Sequence, residues 1–142
     1  MDGVVVRPAT TGELRFVRDS WTRSATQARH VRFCGARWVG FGIDHGIEPR
    51  TLRLAHRLLV DHLLAEGTVV VVAHEEQPDE ALGWACWSVY EGQPLVHYVY
   101  VRGPVRRHGL GQLLLGCARE ALGLESSATH MTPMGKSLME AA

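Results

Sequence analysis

The sequence predicts an α/β (α+β) fold: one domain over residues 1–142, with a mixed, mainly antiparallel central sheet flanked by helices. Two observations predict it. Apolar residues recur at helical spacing in three places, at Leu14, Val17 and Trp21, from Leu52 to Leu63, and from Leu110 to Leu122. Between the last two lie three runs rich in β-branched and aromatic residues, Thr68–Ala73, Leu82–Tyr90 and Leu95–Val101, joined by short polar turns. Short connections between consecutive strands make an antiparallel meander.

Composition narrows the class. Apolar residues are 46% and charged residues 21% of the chain, the balance of a globular protein large enough to bury a core. No apolar run is long enough to span a membrane, and Met1-Asp2-Gly3 does not begin a signal segment, so a cytoplasmic location is expected. Cys34, Cys86 and Cys117 are far apart and odd in number, which predicts reduced thiols, not disulfides or a zinc site. The net charge is zero, which argues against coating nucleic acid by electrostatics alone. The charge is nevertheless uneven. Seven arginines from Arg7 to Arg37 face three acidic residues in the first 37 positions, while Glu75, Glu76, Asp79, Glu80 and Glu91 are acidic counterparts. The basic stretch reads either as ordinary helix surface or as a rim for an anionic acceptor or a ligand's phosphates.

In chain order, Val4–Arg7 is a first strand ended by Pro8, and Thr10 with Glu13 has capping-box spacing for the first helix. Its inner face is Leu14, Val17 and Trp21, with Trp21 read as core or as site. Residues 25–49 carry five interrupting residues, Gly35, Gly40, Gly42, Gly46 and Pro49, and read as a long loop with Phe33, Trp38 and Phe41. A loop of this kind either has work of its own to do or packs irregularly on the core. Asp44-His45 has no metal-ligand spacing around it. Arg50–Glu66 is the second helix, with Leu52, Ala55, Leu58, Leu59, His62 and Leu63 expected inward and Gly67 ending it. His56 and His62 do not share a helix face and are no metal pair. Thr68–Ala73 and Leu82–Tyr90 are apolar on both alternations, hence central strands, and Glu75–Glu80 is a charged turn between them. Ala128–Thr132 is one short strand.

The chemistry concentrates where the strand Leu95–Val101 runs through Arg102-Gly103-Pro104-Val105-Arg106-Arg107-His108-Gly109 into the helix starting at Leu110. Gly109 and Gly111 let backbone approach a ligand, and the helix start supplies unpaired N–H groups with partial positive charge. With Arg106, Arg107 and His108 beside them, the expected occupant is a phosphate or pyrophosphate. The bland alternative is a surface connection with solvated arginines. No P-loop spacing exists, and Leu114 breaks the dinucleotide fingerprint.

Arg106-x-x-Gly109-x-Gly111 after such a strand resembles the acetyl-CoA signature of the GNAT (Gcn5-related) N-acetyltransferase family. The order β-α-α-β-β-β-α from residue 4 to about 123, and the opening Val4-to-Thr10 into a helix with Ser20-Trp21, are similar to that family's core. The chain departs from it at the end, where no sequence remains for a further helix and a final hairpin. This C-terminally truncated, GNAT-like form resembles compact proteins found in bacteriophage genomes.

The resemblance implies an N-acyltransferase that moves an acetyl group from acetyl-CoA, its co-substrate, to an amine acceptor. The backbone of Val99, Tyr100 and Val101 would pair with the pantetheine arm, and Arg106, Arg107, His108, Gly109, Leu110 and Gly111 would hold the pyrophosphate. Many relatives carry a glutamate base near the start of this strand, where Leu95 and His97 stand here. Strand parity places His97 on the face of Val99, which makes His97 the candidate general base or else a hydrogen-bonded core histidine. No tyrosine follows Tyr100 to act as general acid. The alternative is a non-catalytic module that binds CoA or a protein. The uncharged segment Ala128–Thr132 leaves an edge that a symmetric homodimer would pair.

Overall fold

A computed structural model describes residues 3–27, 30–33, 36–39, 49–123 and 127–131. Strand β1 (Val4–Pro8) leads through a 3-10 turn, Thr11–Glu13, into helix α1 (Leu14–Gln27). The capping box is formed: Thr10 accepts from the Glu13 N–H, and the Thr10 N–H donates to the Glu13 carboxylate at 2.9 Å. Arg7 grips the same carboxylate with bonds of 2.6 and 2.8 Å and, as the main cause, lowers its pKa to about 2. The turn that starts α1 is thereby locked to β1.

A hairpin follows, β2 (His30–Phe33) and β3 (Ala36–Val39). Helix α2 (Pro49–Glu66) then precedes the meander β4 (Thr68–His74), β5 (Gln77–Tyr90) and β6 (Gln93–Val101). Helix α3 (Leu110–Leu122) and two short strands, β7 (Ser127–Ala128) and β8 (His130–Met131), complete the described chain. The main sheet has the order β1-β4-β5-β6-β7, antiparallel except for the last pair, and β3-β2-β8 is a second, smaller sheet. No helix among the described residues is long and apolar enough to cross a membrane.

Helices cover both faces of the main sheet. On one, Val17, Trp21 and Ala25 of α1 and Val60 of α2 pack on Val71, Trp84 and Cys86. On the other, Leu110, Leu114, Leu115 and Ala118 of α3 pack on Val72, Ala85, Trp87 and Val96. This two-sided burial is why β4 and β5 carry unbroken apolar runs. Burial alone pushes the Cys86 thiol up to about 12.

Four expectations change. Helix α2 turns His56 and Val60 into the core, with Leu63 and Leu64 partly buried, whereas Ala55, Leu58 and His62 are exposed. The Leu52 side chain, Cys34 and Asp44-His45 lie outside the described residues. The stretch read as a loop contains β2 and β3, strands of four residues each. The charged turn is tighter than expected, Glu75 and Glu76 only, with Gln77–Glu80 already in β5. The C-terminal segment is two strands rather than one, and both pair within the chain: β7 with β6 and β8 with β2.

Candidate functional site

Strand β6 lies at the centre of the site. Its β5 side is paired along the strand, up to Val101 opposite Gly83. On its other side β7 runs parallel and matches only Leu95 with Ser127 and Val96 with Ala128. The Thr129 N–H donates to the Val96 carbonyl at 3.0 Å, and the chain then leaves as β8 to join β2 in the second sheet. A fork results. From Tyr98 to Val101, β6 has no strand beside it on that side among the described residues.

The edge leads directly into the basic turn. The Arg102 N–H extends the ladder to the Leu82 carbonyl at 2.9 Å. A 3-10 turn, Gly103–Val105, reverses the chain, with Pro104 in its first turn where a missing N–H costs nothing. Arg107 (φ 68°) and Gly109 (φ 81°) both take left-handed backbone, and Gly109 is the N-cap of α3. Alternation of this kind gathers successive N–H groups into a concavity suited to an anion. The opening N–H groups of α3 lack intrahelical partners by geometry and face the same place. Arg106, Arg107, His108 and Gly109 are exposed, whereas Leu110 anchors the helix in the core. Its contribution to an anion would come from backbone alone.

Two arginines frame the turn. Arg106 donates from Nε to the Val101 carbonyl at 2.8 Å and lies 5.8 Å from the centre of the Tyr100 ring. Arg102 lies over Phe16 at 5.1 Å and bonds Glu80 at 3.2 Å. The free edge therefore ends under a guanidinium. Tyr98 and Tyr100 face α1 and α2, and Tyr98 shares a 2.9 Å hydroxyl bond with Ser24 of α1. Burial raises the Tyr98 pKa, and the Ser24 bond opposes that shift. Val99 and Val101 face α3.

His97 does not lie where strand parity put it. The β5–β6 register jumps, with Cys86 opposite Tyr98 but Trp87 opposite Val96, so His97 is the extra residue of a β-bulge. Its Nε2 lies 2.6 Å from Ser88 Oγ, and Ser88 alternates with Trp87, whose ring is on the α3 face. His97 thus shares the α1–α2 face with Tyr98, not the face of Val99. Its Nδ1 lies 2.9 Å from Thr129 Oγ1, and the residue is 2% exposed. Desolvation lowers its pKa from 6.5 to about 4. Held between two hydroxyls, the ring ties β5, β6 and the segment after β7 together at the vertex of the fork. The sequence carries no signal for Ser88 and Thr129 as its partners, because a bulge depends on how two strands pair.

His56 of α2 is likewise buried and lowered to about 4 by desolvation. Both imidazoles are neutral in the fold and regain a pKa near 6.5 when exposed by unfolding. The unfolded chain then binds more protons between about pH 6.5 and 4, so this stability is present above 6.5 and lost as pH falls through about 4. The melting temperature is expected to fall over that interval, and His56→Gln with His97→Gln should flatten the fall. A wild-type melting temperature constant from pH 7 to 4.5 would contradict it.

No protein-family model matches the chain, and no curated protein does. Solved structures match over nearly its whole length. A GCN5-related N-acetyltransferase from Ralstonia eutropha superimposes with a TM-score of 0.65 at 19% identity, covering 98% of this chain and 90% of that one. YycN of Bacillus subtilis gives 0.67 at 14% identity, over 97% and 89%. A structure from Corynebacterium glutamicum named for histone acetyltransferase HPA2 and related acetyltransferase gives 0.58 at 17%, over 88% and 75%. At these identities the likeness is one of fold.

Proposed function

We propose that this chain, which has the fold of the GCN5-related N-acetyltransferases, binds acetyl-CoA in the fork and transfers its acyl group to an amine. The observation that carries the proposal is the continuity of the free β6 edge with the left-handed turn and the α3 N-terminus. An extended chain with amide groups, ending in a pyrophosphate, needs those two features in that order. Val99, Tyr100 and Val101 would bond the pantetheine arm as a neighbouring strand does. The turn from Arg106 through Arg107, His108, Gly109, Leu110 and Gly111 would hold the pyrophosphate. A Cβ at Gly109 would be strained by its positive φ, which suits a residue kept small beside a ligand.

When bound, acetyl-CoA supplies the activated acyl group. The amine nitrogen forms the new bond to the acyl carbon, the carbon–sulfur bond breaks, and the amine's proton leaves while the thiolate takes one up. The chain's contribution is mainly to hold the two reactants in geometry, a large source of rate acceleration. His97 enters as a positioning residue rather than as the base read from strand parity, and the acceptor's proton passes to solvent.

Loss of its two hydrogen bonds in His97→Ala, at about 0.5–1.5 kcal/mol each, is expected to loosen the fork and weaken acetyl-CoA binding roughly tenfold. The pH dependence of turnover should keep its shape. A wild-type inflection in turnover that the variant loses would make His97 the base after all.

The buried, neutral state of His97 favours a second reading, a CoA-binding module without turnover. A screen of amines with acetyl-CoA, following thiol release, separates the two. Thiol release that depends on one class of amine supports transfer. Binding without release for every amine supports the module.

A further inference from the structure

Helices α1 and α2 border an open groove of about 490 Å³ whose described lining is Thr22, Arg23, Arg50, Arg53, Leu54 and Arg57. Among the described lining residues four are arginines and none is acidic. Elsewhere on these helices Asp19 pairs with Arg15 and Arg18, and Asp61 with Arg18. On α2, residues 50, 53, 54, 57 and 58 follow the i, i+3, i+4, i+7, i+8 spacing of one helix face. That face is turned to solvent although it carries two leucines, Leu54 at 60% and Leu58 at 64% exposure. Helix α2 therefore has one apolar face in the core and a second, mixed face of arginine and leucine outside it.

We propose that this groove is a docking surface for an acidic polypeptide segment that also presents apolar side chains. This goes beyond the acyl-transfer reading and does not depend on it. Arg50 and Arg57 are seven residues apart, about 10 Å along the helix, so the charges are spread along a line and do not converge on one phosphate. Leucines between arginines suit carboxylates interleaved with apolar groups, whereas a nucleic-acid backbone offers Leu54 and Leu58 nothing. With a net charge of zero the chain as a whole exerts no attraction on an acidic segment, so the attraction has to come from local basic patches such as this one. Exposed guanidinium–carboxylate pairs are individually weak, so several in a row with apolar contact between them are needed for binding.

The test uses the full chain and a short labelled peptide with glutamate and leucine at helical spacing, beside the same peptide with glutamine for glutamate. Fluorescence anisotropy should show the glutamate peptide bound at least about tenfold tighter at low salt, with the difference shrinking toward about 0.5 M salt. Arg53→Glu with Arg57→Glu should remove at least about tenfold of that affinity, and Arg53→Gln with Arg57→Gln several-fold. Leu54→Ser with Leu58→Ser should also lower it several-fold. Acetyl-CoA affinity should be the same in all variants. Equal binding of both peptides, or unchanged binding by the charge-reversed variant, would overturn the proposal. So would tighter, Arg53- and Arg57-dependent binding of a single-stranded oligonucleotide of equal charge, or loss of acetyl-CoA affinity in these variants.

Discussion

Trp84→Ala is expected to lower folding stability by about 3–5 kcal/mol, the cost of removing a large aromatic side chain from a core. Trp84 is fully buried at the point where β5 meets α1 and β6. Its ring packs against Trp21, Tyr98 and Tyr100 with centroids 5.3, 5.6 and 6.0 Å away. Its Nε1–H donates to Ser20 Oγ at 2.8 Å, and Ser20 in turn donates to the Phe16 carbonyl at 2.7 Å. Alanine leaves a cavity and strands Ser20 with one partner fewer. Since a domain has only about 5–15 kcal/mol in total, the variant should unfold at far lower denaturant. Chemical denaturation followed by circular dichroism measures this, and a midpoint within error of wild type would contradict the packing described.

Gly83→Ala should cost about 1–3 kcal/mol, as overpacking does, and should also damage the site. A Cβ on Gly83 would lie 2.6 Å from the Tyr100 carbonyl oxygen, 3.3 Å from Val101 Cα and 3.3 Å from Leu114 Cδ1. Backbone on one side and a packed leucine on the other leave it no room. Strand β6 has to shift at Tyr100 and Val101, the two positions that lead into the turn. Acetyl-CoA affinity should fall together with stability. A variant that loses stability but binds acetyl-CoA with wild-type affinity would show that the ligand does not read this end of β6.

The difference between the legible and the hidden parts is physical. Helices α1 and α3 were legible because their apolar residues fall on one face, and Val17, Trp21, Leu110, Leu114 and Ala118 are buried there. The turn was legible in part because a glycine reports a backbone need directly, as the positive φ of Gly109 shows, whereas nothing in the sequence marks the positive φ of Arg107. Helix α2 misled because it has leucines on both faces. Leu54 and Leu58 remain outside, so the apolar stripe that reads best in sequence is rotated from the one that is buried. Strands of two or four residues, such as β2, β3, β7 and β8, are too short for a period to register. The bulge at His97 was invisible for another reason. Alternation along one strand assumes an unbroken register, and the register is a property of two strands.

Calorimetric titration of acetyl-CoA into the wild-type chain and into Arg106→Glu tests the fork-and-turn site most directly. Arg106 holds the Val101 carbonyl at the end of the free edge, so a carboxylate there repels that oxygen and any phosphate above it. A charged hydrogen bond contributes about 1.5–3 kcal/mol, and reversal adds repulsion to its loss, so affinity should fall by at least about tenfold with the fold intact. Saturable one-to-one binding to the wild type, weakened to that degree in the variant, is the predicted result. No heat of binding in the wild type, or equal affinity in the two proteins, would contradict the assignment of this site.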